Sequence, residues 1–130
     1  MTLNEKLVVP VISALVLGLA GCPSPLEPPV AVISDASAAP DACVALESPL
    51  AGRLNVASGL TARCSSDLQG MPLSYRWSLV DQPSGSVAAI HDPSLESPTF
   101  FPDVPGTYRI RLIADNGVLS SEPSDLEITV

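Results

Sequence analysis

The sequence predicts an all-β fold, a small Greek-key β-sandwich of about seven strands preceded by a signal peptide and a proline-rich linker. Three observations predict it. Beyond Pro49 the apolar residues fall in short alternating runs, the period of half-buried strands. Turn-forming residues interrupt those runs every eight to twelve positions, as they do in sandwiches. Fourteen prolines in 130 residues, about twice the average share, leave little room for long helices. The length suits one domain. Fourteen acidic against six basic residues give a net charge of −8, which argues against nucleic acid, because neutralising phosphates requires clustered Lys and Arg.

The chain opens with an address. Asn4, Glu5 and Lys6 precede an apolar run from Leu7 to Gly21 broken only by Pro10 and Ser13. That run is shorter than the ~20 residues of a spanning helix and ends in small residues, as export signals do. Its end, Leu19-Ala20-Gly21-Cys22, is followed by Pro23-Ser24-Pro25-Leu26-Glu27-Pro28-Pro29, a segment that cannot continue a helix. The junction resembles the lipobox of bacterial lipoproteins: aliphatic, small, small, Cys. The resemblance implies cleavage of residues 1–21, with Cys22 as the mature N-terminus carrying diacylglycerol and an amide-linked acyl chain such as palmitate. The membrane partner would then be reached through acyl chains, two or more of which hold firmly. Pro23 stands where an inner-membrane-retained lipoprotein commonly has Asp, so an outer-membrane anchor is expected. An ordinary secretory signal with an incidental Cys is the alternative.

Residues 22–49 hold six of the fourteen prolines amid Ala, Ser and Asp and read as a linker, with a first edge strand at 30–33 as an option. Such a linker is a semi-rigid spacer of ~3 Å per residue that would lift the folded body off the membrane. With Cys22 acylated, Cys43 and Cys64 remain as an even pair in an oxidising compartment, where a disulfide is expected. The two Cys and the lone His91 lack the close spacing of a zinc site, and no metal or cofactor is expected.

The body, residues 50–130, begins with Leu54 and Val56 alternating before an Ala57-Ser58-Gly59 turn. Leu60, Ala62 and Cys64 then share one face, with Thr61 and Arg63 on the other. Leu73, Tyr75, Trp77 and Leu79 line the inner face of the next strand opposite Ser74, Arg76 and Ser78, and Trp77 is the expected core anchor. Val87 to Ile90 and Pro98 to Phe101 are short strands limited by proline. In Thr107 to Ala114, Tyr108, Ile110 and Leu112 alternate with Arg109 and Arg111. Asn116-Gly117 predicts a tight hairpin, and Leu126, Ile128 and Val130 mark the last strand.

Cys64-Ser65-Ser66-Asp67-Leu68-Gln69-Gly70, Tyr75-Arg76-Trp77, Pro98-Thr99-Phe100, Pro102-Asp103-Val104-Pro105-Gly106-Thr107-Tyr108 and Asp115-Asn116-Gly117 follow in order. Together they resemble the polycystic-kidney-disease (PKD) domain, whose S-x-D-x-x-G, Y-x-W, P-T-F, P-D-x-x-G-x-Y and D-x-G elements keep this order. The resemblance covers about residues 53–130. It implies an immunoglobulin-like sandwich on a cell surface or beside secreted enzymes, serving as a spacer or as a protein or carbohydrate interaction module. Leu68, Gln69 and Met71 stand where members often carry further acids, which puts calcium binding in doubt. Ile110 occupies the second immunoglobulin Cys position, so Cys64 is left to Cys43. Tyr108 would be a tyrosine-corner residue bonded to backbone, structural like Tyr75 and Trp77.

Catalytic residues are not expected. His91 is the sole histidine and no G-x-S-x-G element supplies a nucleophile. Asp81 with Asp92, or Glu96 with Asp103, could be drawn as paired carboxylates, but acids are plentiful here and solvated loops explain them. Arg63, Arg76, Arg109 and Arg111 fall on outward faces, suggesting a cationic strip on one sheet or simply its wet face. The expected function is that of a lipid-anchored envelope protein with a non-catalytic interaction or spacer domain. The alternative is a structural or assembly lipoprotein that binds another envelope component.

Overall fold

A computed structural model describes residues 25–130. The export signal, the lipobox and the acylated Cys22 lie outside those residues. The described chain is all-β, with eight strands: β1 Ser34–Asp35, β2 Leu50–Ala51, β3 Ser58–Thr61, β4 Ser74–Asp81, β5 Ile90–His91, β6 Thr99–Phe100, β7 Thr107–Asp115 and β8 Ser124–Thr129. They form two four-stranded sheets that pack as a sandwich, in the orders β1-β3-β6-β5 and β2-β8-β7-β4.

The long strands are those with unbroken alternation. In β7, Tyr108, Ile110, Leu112 and Ala114 are fully buried, while Arg109 and Arg111 between them are not. The antiparallel register pairs Trp77 of β4 with Leu112 and pairs Ile110 with Leu126 of β8. A strand period of two therefore delivers one apolar face to the interior. The opposing sheet contributes Leu60, Ala62 and Phe100. The Phe100 ring meets Tyr108 edge-on at 5.3 Å and 70°, a favoured aromatic geometry. Gly106, at φ +138°, turns the chain into β7. A Cβ there would sit 2.6 Å from Pro83 Cγ, so the position requires glycine for both backbone and space.

Several expectations change, among them the Ala57-Ser58-Gly59 turn, whose Ser58 and Gly59 instead pair with Phe100 and Thr99 at the start of β3. Residues 30–46, expected as linker, belong to the sandwich. Val30 exchanges both backbone hydrogen bonds with Ser66 at 2.8 and 3.0 Å, β1 pairs with β3, and Ile33 is buried in the core. The ladder lies at 34–35 rather than 30–33. Composition misled because the segment's partners are 30 or so residues away, beyond any local pattern. Leu54 and Val56 are exposed in a turn, since Asn55 adopts a left-handed backbone at φ +58°, which breaks strand alternation.

Thr61, expected outward, is as buried as its neighbours Leu60 and Ala62. Its hydroxyl accepts a 2.7 Å hydrogen bond from Ser97, so the polar group enters the interior already partnered. The turn after β7 is longer than a two-residue hairpin. Asn116 N–H reaches Leu119 O at 3.1 Å, and the positive φ, +91°, falls on Gly117.

Candidate functional site

The cysteine pair is joined. Cys43 and Cys64 form a disulfide with Cα atoms 5.4 Å apart, within the span that such a bridge closes. It fastens the segment carrying β1 to the chain just after β3. Arg63, expected on an outer cationic strip, instead donates from Nη2 to Ala38 O and Ala39 O at 2.8 and 2.9 Å, holding the same loop.

Trp77 is buried and its indole N–H donates to Leu95 O at 3.0 Å; Tyr75, on the same face, is half-buried. The Tyr108 hydroxyl donates to Val104 O at 2.7 Å and accepts from Val104 N–H at 2.9 Å. It bonds back to backbone four residues upstream.

The acids that sequence reasoning paired do other work. Asp103 accepts from Ser86 Oγ at 2.6 Å and Val87 N–H at 2.7 Å, so it ties two loops together, while Asp81, Asp92 and Glu96 are exposed. Asp67 accepts from Asn116 Nδ2 at 2.6 Å and from the backbone N–H groups of Met71 and Gln69 at 2.9 and 3.0 Å. Asp115 accepts from Ser120 Oγ and Gly117 N–H. Among the described residues no group of three or more His, Cys, Asp or Glu comes together. His91 is exposed, its ring 6.2 Å from that of Phe101.

Those hydrogen bonds stabilise the charged carboxylate, so each of the three acids is held below the usual carboxylate pKa. The largest cause is the Asn116 amide for Asp67, the Ser86 hydroxyl for Asp103 and the Ser120 hydroxyl for Asp115. A depressed folded-state pKa contributes stability that is fully present above the unfolded value of about 4 and fades as pH falls through the lower folded values. Thermal unfolding followed against pH should therefore show the midpoint level near neutrality and dropping below about pH 4. Asp103→Asn should make that acid limb shallower; an unchanged limb would remove Asp103 from the account.

The outer face of the second sheet carries the arginines, largely neutralised. Arg111 makes a bidentate pair with Asp125, at 2.7 and 2.8 Å, and Arg109 lies 3.4 Å from Glu127. Arg76 stands beside Asp115, whose pKa its charge helps to lower.

Next to Arg76 lies a grooved stretch of surface. β4 is the outermost strand of its sheet. Trp77 N–H turns away from β7 to Pro93 O at 2.8 Å, so by antiparallel alternation the peptide groups of Tyr75 and Leu79 face the same free side. Two grooves follow this edge on either side of Pro93. One, of about 330 Å³, is lined by Tyr75, Arg76, Trp77, Ser94 and Asp115 among others. The second, of about 510 Å³, runs along Ser78 to Gln82 and Ala88 to Ile90. Burial, followed by the charge of Glu96, pushes the Tyr75 phenol up. Sequence alternation found Tyr75 and Arg76 but could not place Ser94 and Asp115 beside them.

Fold and surface define a small, disulfide-stapled, all-β sandwich with a grooved edge strand. No protein-family model and no curated protein matches the chain. Among solved structures it is similar to a nucleoside hydrolase-related hypothetical protein from Saccharophagus degradans that is associated with carbohydrate metabolism. The TM-score is 0.63 at 27% sequence identity, over 81% of this chain and 26% of that one. This chain thus spans about a quarter of that protein's length.

Proposed function

We propose that the protein is a lipid-anchored component of the cell envelope, at the outer membrane, whose PKD-like sandwich acts as a non-catalytic interaction or spacer module. The observation that supports this most is the match to a quarter of a much longer chain: the sandwich recurs as an attached unit, the way binding and spacer domains are used. The association of that longer protein with carbohydrate metabolism makes a glycan the first partner to try. The groove beside Tyr75 suits one. It is at the lower end of the size range of small-molecule clefts, and an aromatic wall is flanked by a few polar groups, Arg76, Ser94 and Asp115, that could fix hydroxyls. A glycan array probed with the intact protein should give hits that Tyr75→Ala removes; hits that survive it place the ligand elsewhere.

A second reading, assembly with another envelope protein, is favoured by the β4 edge itself, because an outermost strand can take an extended segment by strand addition. A stoichiometric partner co-purifying from detergent-solubilised envelopes, in place of glycan binding, would select it.

Anchoring at Cys22 makes its own prediction. Cys22→Ser should move the protein from the membrane to the soluble fraction and abolish incorporation of labelled fatty acid. Continued labelling of that variant would sink the lipobox assignment.

A further inference from the structure

The tether meets the sandwich at a particular end. Pro29 is buried, Val30 is hydrogen-bonded to Ser66 in both directions, and Glu27 to Ala31 line one groove with Glu122 to Ser124. Because residues 30–46 are part of the body, the chain left to link Cys22 with the sandwich is very short. From Cys22 to Leu26 it can extend ~3.5 Å per residue at most. A body held by acyl chains on Cys22 therefore cannot stand off; the tethered end must lie close to the lipid surface.

That end carries exposed aliphatic side chains on two loop tips. Leu68, in the loop after Ser66, is 82% exposed, and Val118, after β7, is 60% exposed. The 2.6 Å bond from Asn116 Nδ2 to Asp67 Oδ1 holds the two loops side by side. Leu26 and Val30 on the tether are also about half exposed or more. Aliphatic tips cost free energy in water and are relieved by shallow burial among headgroups. The nearby charges are mostly negative, Glu27, Asp67, Asp115 and Glu122, with Arg76 opposed to Asp115, so a neutral headgroup surface fits better than an anionic one.

We infer that the loops carrying Leu68 and Val118 rest on the membrane surface and orient the sandwich, so that the opposite end, with Val87, points away. This rests on the lipid-anchor reading of Cys22. The membrane contact is the reason these tips are aliphatic, and the grooved β4 edge then runs up from the bilayer, accessible from the side.

The test uses the full-length acylated protein reconstituted in phosphatidylcholine vesicles containing nitroxide lipid. A fluorophore is placed at Leu68→Cys in one sample and at Val87→Cys in another. Fatty-acid incorporation and melting temperature are measured on each. The expected result is quenching of the label at 68, none at 87, and weaker quenching at 68 when phosphatidylglycerol replaces much of the phosphatidylcholine or when Val118→Ser is added. Acylated protein with no quenching at either site overturns the contact, as does quenching at 87 alone. So does a label at 68 that responds to protein concentration and not to lipid, which would put a second copy of the chain on this face. Absence of fatty acid overturns the anchor reading itself, a failure told apart by the labelling assay.

Discussion

Trp77→Ala is expected to destabilise the domain by about 3–5 kcal/mol, the usual cost of truncating a buried large aromatic side chain. The indole fills the space between the sheets with only 3% of its surface exposed, and its N–H satisfies Leu95 O. Small domains hold only about 5–15 kcal/mol in total, so about a fifth of the stability or more would go. The melting temperature should fall by roughly 4–8 °C for each kcal/mol lost. Trp77→Phe separates the two contributions. It keeps most of the apolar volume and loses the hydrogen bond, leaving a carbonyl that costs about 1–3 kcal/mol if no water replaces the indole. Urea unfolding of the three proteins would measure the series. A Trp77→Ala protein that melts within a few degrees of the parent would mean that the tryptophan is not the core anchor.

Loss of the disulfide is the second large effect. The Cys43→Ser, Cys64→Ser double variant should be less stable by about 3 kcal/mol, as expected for a closed loop of this size on the chain-entropy model, the cysteines being 21 positions apart. The damage should also be local. The bridge and the Arg63 hydrogen bonds to Ala38 and Ala39 hold the loop that returns from β1, whose own ladder is two residues long. Limited proteolysis between Ala36 and Ala42 should therefore accelerate in the variant and in reduced wild-type protein, while cleavage in β4 or β7 should not. Two free thiols in non-reducing mass mapping, or an unchanged midpoint after reduction, would refute the role.

The two effects act on different halves of the folding problem. Trp77 stabilises the native state by filling it, whereas the disulfide acts largely by restricting the unfolded chain. Because Trp77 meets β7 and the bridge meets β1 and β3, the two losses should be close to additive. A strong departure from additivity would show that the stapled segment and the β4–β7 core unfold as one unit.

The grooved edge gives a chain with few aromatic residues a recess walled by one of them, Tyr75. Tyr75 is in phase with Trp77 on the inward side of β4, but near the strand's start the cover thins and the phenol reaches the groove. Pro93 caps the middle of the same edge through its carbonyl, which blunts open-ended pairing between copies while leaving a recess on either side.

What could be read from the sequence was whatever repeats locally. Alternation in β4, β7 and β8 announced their inward faces, including Trp77, Tyr108, Ile110 and Leu112, because strand period is a property of adjacent residues. Cysteine count and a signal-like N-terminal sequence announced the pairing of Cys43 with Cys64. Tertiary structure alone decided the rest. Residues 30–46 look like linker until Ser66, Gly59 and Cys64 supply partners for Val30, Ala36 and Cys43. Thr61 looks like a surface residue until Ser97 satisfies its hydroxyl. Arg63 looks like part of a cationic face until two backbone carbonyls claim it, and Asp67 and Asp103 look like free acids until distant loops donate to them. In each case the deciding partner lies far along the chain, and hydrogen bonds between remote groups leave no periodicity in the sequence that makes them.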